Sequence, residues 1–105
     1  MEAIAEKKGE DVLLLDIRSL SPFTDYFVIG SGTSDRQLRA LVEGLQDVMR
    51  SQHKRRPLSV EGRAESGWVL MDYGDVIVHL FSPDKRAYYN LEGLWHDGKT
   101  VVRIQ

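Results

Sequence analysis

Residues 68–81 read WVLMDYGDVIVHLF and carry the clearest structural pattern in the chain. Two runs of apolar and β-branched residues lie on either side of Gly74, which is typical of two β-strands joined by a tight turn. We therefore predict strands over Trp68–Tyr73 and Asp75–Phe81. The rest of the fold is built around this hairpin.

The turn determines which side chains share a face of the hairpin. A two-residue turn at Tyr73-Gly74 sets Asp72 opposite Asp75 and Trp68 opposite His79. One face then carries only apolar residues: Val69, Met71, Val76, Val78 and Leu80. The other face carries aromatic rings, an imidazole and two carboxylates: Trp68, Leu70, Asp72, Asp75, Ile77, His79 and Phe81. A mixed face of this kind is typical of a binding surface, so we predict that these residues and Tyr73 bind a partner.

The two carboxylates need a neighbour that offsets their repulsion, because like charges directly opposite each other destabilise a hairpin. A cation, backbone N–H groups or a shared proton could do so. One alternative is that one carboxylate caps the turn while the other is solvated. Another is a metal pair, with His79 as the nearby imidazole. His79 itself has two interpretations, as a hydrogen-bonded packing residue beside Trp68 or as part of the binding surface.

The composition fits one domain spanning residues 1–105, with 42% hydrophobic residues, 29% charged residues and a net charge of −2. Cysteine is absent, which excludes disulfides, thiolate metal sites and cysteine nucleophiles. No apolar run approaches the roughly 18 residues that span a bilayer, and no signal-peptide pattern opens the chain. We expect a soluble, cytoplasmic protein without membrane contact. A pI near 5.9 favours a basic protein partner over a dedicated nucleic-acid site.

The remaining pattern predicts an α/β domain with a mixed five-stranded sheet and packed helices. One long helix is expected from Asp35 to about Gln52, and a final helix should begin after Ser82-Pro83. The further strands expected are Val12–Ile17, Asp25–Ile29 and Leu58–Glu61. At the ends of the chain, Glu2–Lys8 is interpreted as the remnant of a helix, and residues 96–105 as a short strand or a docked tail.

The turn Gly30–Ser34 leads from a strand into the long helix, where its N–H groups could hold an anion. It lacks the lysine of a phosphate loop and the third glycine of a dinucleotide fingerprint, which favours a plain strand-to-helix turn. Polymerase-type nucleotidyltransferases also use Gly-Ser before a helix. They need a carboxylate pair on the following strand, however, and that strand offers only Glu61.

Two further groups of residues argue against a nucleic-acid site and against catalysis, respectively. The cations in residues 53–56, HKRR, fit the C-terminal end of a helix dipole better than a nucleic-acid site. The three histidines are scattered, and no serine lies in a nucleophile elbow. We predict no catalytic residue, no cofactor and no metal.

Several segments together resemble the ribosomal silencing factor family, also called Iojap-like. They are TDYFVI (24–29), GTSDRQ (32–37), VEG (60–62), WVLMDYGDVIVHLF (68–81) and YYNLEGLW (88–95). The resemblance extends from about Gly9 to Trp95, and residues 68–81 are its specific part. It implies a small α/β protein that is related in fold to nucleotidyltransferases but lacks their catalytic acids.

The resemblance also implies a function. Members of the family are expected to bind the universal large-subunit ribosomal protein number fourteen, block joining of the small subunit and so damp translation when nutrients are scarce; organelle members act in ribosome assembly. We therefore expect a non-enzymatic repressor that contacts the large subunit, and a homodimer when the protein is free. The alternatives are a small nucleotidyltransferase-like enzyme and a ribosome-assembly factor that contacts rRNA.

Overall fold

A computed structural model, which describes residues 9–95 and 97–104, contains one mixed sheet of six strands. The strands are β1 (Glu10–Asp16), β2 (Tyr26–Ser31), β3 (Ser59–Arg63), β4 (Trp68–Asp72), β5 (Val76–Phe81) and β6 (Lys99–Ile104). The helices are α1 (Asp35–His53), α2 (Pro83–Tyr89) and α3 (Leu91–Leu94), with a short 3-10 turn at Ala64–Ser66. The α/β class is confirmed. The helix expected over Glu2–Lys8 lies outside the described residues.

The order of strands in the sheet is β3-β4-β5-β2-β1-β6. Strands β2 and β5 are parallel, and every other neighbouring pair is antiparallel. The prediction of five strands is wrong because residues 99–104 form an edge strand along β1. An edge strand has only one neighbour, and Val101 in β6 is 49% exposed. Its sequence therefore shows little of the pattern of a buried strand.

The β4–β5 hairpin has a different register from the one predicted. Trp68 pairs with Phe81 and Leu70 pairs with His79, a shift of two residues. The turn is centred on Gly74 and Asp75, and the Tyr73 N–H donates to the Val76 carbonyl at 2.9 Å. Gly74 has φ 90°, a conformation that suits glycine at the first central position of a hairpin turn. Since side chains alternate with a period of two, every side chain within β4 and β5 stays on its predicted face, whereas Asp75 falls in the turn.

Helix α1 covers one face of the sheet and closes the main core. Ser34 caps its N-terminus, with its Oγ accepting the Gln37 N–H at 3.1 Å, and Lys54 caps its C-terminus in the left-handed conformation. Its buried Leu38, Leu41 and Leu45 face the sheet. The sheet residues in this cluster are Val12, Val28, Val69, Met71, Tyr73, Val78 and Leu80. The long helix is confirmed, with its end one residue beyond the predicted one.

The opposite face carries a second, smaller core. Its buried members are Leu13, Leu15, Ile17, Phe27, Ile29 and Phe81. Leu91 and Trp95 pack against them. The single final helix of the prediction is split, because Asn90 adopts φ 45° between α2 and α3. None of the helices described combines the length and the hydropathy needed to cross a membrane.

A buried guanidinium ties α2 to the sheet. Arg86 is 8% exposed, and its Nη1 donates to the Asp11 carbonyl at 2.7 Å and to the Ser31 Oγ at 2.8 Å. Because these bonds join α2 to both β1 and β2, they fix how the helix lies over the second core.

Gly62 provides a test of the register between β3 and β4. Both Gly62 (φ 83°) and Gly74 (φ 90°) adopt a conformation that costs an L-residue about 1–2 kcal/mol. A Cβ on Gly62 would also collide with the Trp68 carbonyl, whereas one on Gly74 meets only Leu58 Cδ1, at 3.5 Å. We expect Gly62→Ala to lower the free energy of unfolding by about 3 kcal/mol or more, and Gly74→Ala by about 1 kcal/mol.

Urea denaturation of both variants measures the difference. Equal losses of stability would mean that the Trp68 carbonyl does not approach Gly62 as described.

Candidate partner-binding surface

Most of the predicted site residues share one face of the β4–β5 hairpin, which we call the Trp68 face. It consists of Trp68, Leu70, Asp72, Ile77, His79 and Phe81. Two predicted residues lie elsewhere. Tyr73 is 4% exposed and belongs to the main core on the α1 side. Asp75 lies in the exposed turn at the end of the hairpin.

Burial divides the Trp68 face into an inner and an outer half. Phe81 is fully buried and His79 is 5% exposed, so a partner cannot reach either directly. Trp68 and Leu70 are half-buried and accessible from outside. The inner half is therefore a small core, and only the outer half can contact a partner.

The Trp68 indole is held in place by aromatic neighbours and one hydrogen bond. It stacks on Phe81 with ring centroids 5.2 Å apart and lies 4.5 Å from the Tyr89 ring. Its Nε1–H donates to Nδ1 of His79 at 3.2 Å. The His79 ring in turn meets Phe27 edge-on at 4.9 Å. These contacts fix the indole orientation before any partner arrives.

His79 acts here as a neutral acceptor. Burial lowers the pKa of His79 to about 4, so the imidazole is uncharged at neutral pH. Since Nδ1 accepts from Trp68, we assign the proton to Nε2. That Nε2 is buried, and none of the described residues bonds to it. Of the two interpretations given above, the geometry favours the hydrogen-bonded packing residue beside Trp68.

The two carboxylates of the hairpin do not face each other. Asp72 pairs across the strands with Ile77, and its Oδ1 accepts the Gly74 N–H at 2.7 Å, capping the turn. Asp75 forms an ion pair with Arg55 at 2.6 Å, which lowers the pKa of the Asp75 carboxyl. Arg55 also donates to the Tyr73 carbonyl at 2.6 Å. The predicted opposition of Asp72 and Asp75 is therefore wrong.

The sequence did not predict that Arg55 would supply the cation that neutralises Asp75. Arg55 follows α1, 20 residues before Asp75 along the chain, and no local pattern links the two. Two of the alternatives for the carboxylates are therefore present: Asp72 caps the turn, and the Arg55 cation pairs with Asp75. Within residues 9–95 and 97–104, no three His, Cys, Asp or Glu side chains come together as a metal site would require.

A groove lies beside the outer half of the Trp68 face. Its lining residues are Glu61, Gly62, Ser66, Trp68, Leu70 and Tyr89. Sequence reasoning missed Glu61 and Tyr89 as site residues. Glu61 pairs across the strands with Leu70, so it projects from the same face, and α2 brings Tyr89 onto Trp68. Only the β3–β4 register could have identified Glu61.

Comparison with known proteins identifies the family. The family model described as "Ribosomal silencing factor during starvation" matches residues 1–105. This chain belongs to the RsfS family. The resemblance over about Gly9 to Trp95 is thereby confirmed.

Relatives within the RsfS family span bacteria and plants. The chain is 42% identical to the ribosomal silencing factor RsfS of Halalkalibacterium halodurans over 104 residues, which cover 96% of this chain and 86% of that protein. It is 43% identical to the Bacillus subtilis RsfS over 95 residues, covering 90% and 80% of the two chains. It is also 34% identical to the chloroplastic protein Iojap of Zea mays, covering 95% of this chain and 43% of that one.

Two solved structures show the same fold. A crystal structure of a Chromobacterium violaceum protein matches with a TM-score of 0.85 and 35% identity, covering 90% of this chain and 78% of that chain. A crystal structure from Bacillus halodurans matches with a TM-score of 0.81 and 40% identity, covering 96% and 90%. The sheet and helices described here are therefore those of the RsfS family.

The buried His79 makes stability depend on pH. An unfolded histidine binds its proton below about pH 6.5, whereas folded His79 binds it only near pH 4. Between these values the unfolded state binds more protons, so stability should fall as the pH drops, by at most about 3 kcal/mol in all. His79→Asn retains an acceptor at the Nδ1 position and cannot titrate.

Urea unfolding at pH 7, 6 and 5 measures this effect. The wild type should lose stability steadily, while His79→Asn should stay nearly flat from its lower starting value. Equal slopes for the two proteins would rule out His79 as the source.

Proposed function

We propose that this protein silences translation by binding the large ribosomal subunit through the universal large-subunit ribosomal protein number fourteen, which blocks joining of the small subunit. Family membership supports a ribosomal silencing role. The observation that carries the contact site is the half-buried Trp68 indole, fixed by Phe81 and His79 at the edge of an accessible groove. The bacterial relatives support a cytoplasmic location.

The outer half of the Trp68 face has the properties of a binding hot spot. Tryptophan and tyrosine dominate such sites because one rigid ring contributes a large apolar contact area. The neighbours of Trp68 already hold its ring, so little side-chain entropy is lost on binding. Leu70 adds apolar surface beside it. A homodimer of the free protein remains a prediction. The apolar surface of Trp68 and Leu70 would form its interface.

The charges near this surface suit a basic protein. The exposed Glu61 and the half-buried Asp72 outnumber Arg63, the cation that pairs with Trp68 across the strands, and the whole chain carries a net charge of −2. Carboxylates attract a basic ribosomal protein and repel the phosphates of rRNA. A protein contact is therefore favoured over the assembly-factor alternative in which the chain binds rRNA.

We propose further that the protein is not an enzyme. In the Gly30–Ser34 turn, the Thr33 N–H donates to Gln37 Oε1 at 2.7 Å and Ser34 Oγ caps the Gln37 N–H. Donors that could hold a phosphate are thus used inside the turn itself. This supports a strand-to-helix connection rather than a nucleotide site.

A conservative change at Trp68 tests the contact. Trp68→Phe keeps a ring on Phe81 but removes the indole N–H and part of the contact area. We expect about tenfold weaker binding to purified large subunits, equivalent to about 1.4 kcal/mol. The melting temperature should fall by several degrees, because the buried His79 Nδ1 loses its donor, so binding is measured well below the melting temperature of the variant. Co-sedimentation measures the binding, and light scattering measures inhibition of subunit joining.

Phe23→Ala is the matched control. Phe23 is 89% exposed in the loop between β1 and β2, and its removal should change neither binding nor folding. If Trp68→Phe bound large subunits as tightly as this control, the contact would have to lie on another surface.

Nucleotide binding offers a separate test. Magnesium with ATP or another nucleoside triphosphate should neither raise the melting temperature nor be turned over. A ligand at 100 times its dissociation constant would stabilise the fold by about 2.7 kcal/mol, which is several degrees in a domain of this size. A shift of that size, abolished by Gly32→Val, would restore the nucleotidyltransferase alternative.

A further inference from the structure

The groove beside Trp68 has the dimensions of a site for one side chain. It lies between β3, β4 and α2 and has a volume of about 270 Å³. Sites for small molecules usually have volumes of about 300–1,000 Å³. The groove lies at the lower end of that range and has room for a single side chain of a partner.

Two aromatic rings form one corner of this groove. The rings of Trp68 and Tyr89 have centroids 4.5 Å apart and are inclined at 43°. Phe81 supports Trp68 from below, and Tyr89 is 42% exposed. The faces of such rings carry partial negative charge and attract cations.

A carboxylate completes the groove. Glu61 lines it, and none of the ion pairs among the described residues involves Glu61. Two cations of neighbouring segments form no ion pair with Glu61. They are Arg63, which pairs with Trp68 across β3 and β4, and Lys85, whose Nζ lies 5.8 Å from the centroid of the Tyr88 ring. The Glu61 carboxylate can therefore accept a cation from a partner.

We propose that this groove binds an arginine side chain of the ribosomal partner, with the guanidinium against the Trp68–Tyr89 corner and Glu61 as its counter-ion. A planar guanidinium can stack on an aromatic face and bond a carboxylate with two N–H groups, which an ammonium cannot do. A nucleobase could also stack there, but its phosphate would meet the Glu61 carboxylate. The identity of the partner rests on the proposed function; the preference for arginine does not.

A peptide titration measures that preference directly. The ¹⁵N-labelled protein is titrated with acetyl-Gly-Arg-Gly-amide and with the same peptide carrying citrulline, a neutral isostere of arginine. We expect saturable shifts of the Trp68 indole N–H and the Glu61 amide, with affinity at least about fivefold weaker for citrulline. Glu61→Gln should lower the ratio clearly, leaving only the weaker preference that the Trp68 and Tyr89 rings provide. Glu43→Gln, an exposed change on α1, should keep the wild-type ratio.

Several outcomes would overturn the assignment. Equal affinity of the wild type for the two peptides, or shifts confined to other surfaces, would show that the groove does not recognise arginine. Tighter binding of uridine monophosphate than of the arginine peptide would assign the Trp68–Tyr89 corner to RNA instead.

Co-sedimentation with large subunits separates this inference from the proposed function. Glu61→Gln should weaken binding about tenfold, whereas Glu43→Gln should not. If the wild type sediments with the subunits and Glu61→Gln does so equally well, the arginine site is wrong while the proposed function stands. If the wild type does not sediment with them, the proposed function fails, and the peptide titration alone decides what the groove binds.

Discussion

Strand β5 is buried on both faces, and the rest of the molecule depends on this constraint. Val78 and Leu80 point into the core under α1, whereas His79 and Phe81 point into the second core. Alternation with a period of two makes any other division impossible. A histidine in this position must be neutral and must find a hydrogen-bond partner. The Trp68 indole is that partner, so one strand both closes two cores and orients the exposed aromatic ring.

The sequence predicts correctly those features of the candidate site that depend only on the alternation of side chains between the two faces of a strand. Trp68, Leu70 and His79 were assigned to one face correctly although the hairpin register was shifted by two, because such a shift leaves every face unchanged. The register itself was not predictable, since Gly74 fits more than one position of a short turn. Contacts between distant residues were also missed: the ion pair of Arg55 with Asp75 and the projection of Glu61 beside Leu70 both depend on the assembled sheet.

The same contrast between local signals and contacts of distant residues explains which other elements were predictable. The long helix from Asp35 was predictable because capping and helical periodicity agree locally. For residues 96–105 the sequence left a short strand and a docked tail open, because an edge strand shows little of the pattern of a buried one, and the structure forms the strand along β1. The predicted site includes Tyr73, yet its side chain belongs to the core under α1. Through its carbonyl bond to Arg55, Tyr73 nevertheless connects that core to the acidic turn of the hairpin.

Strand β3 leaves one side of the sheet open, and this affects how the protein behaves in solution. All of its residues are exposed, and Leu58 just before it is 76% exposed. Edge strands of this kind can recruit further strands and aggregate unless charges or irregular backbone prevent it. Glu61 and Arg63 provide those charges, and Gly62 provides the irregular backbone. The Glu61 carboxylate that we propose as the counter-ion of a partner's arginine therefore also opposes edge-to-edge association of the isolated protein, so solubility and the proposed recognition would constrain the same residue.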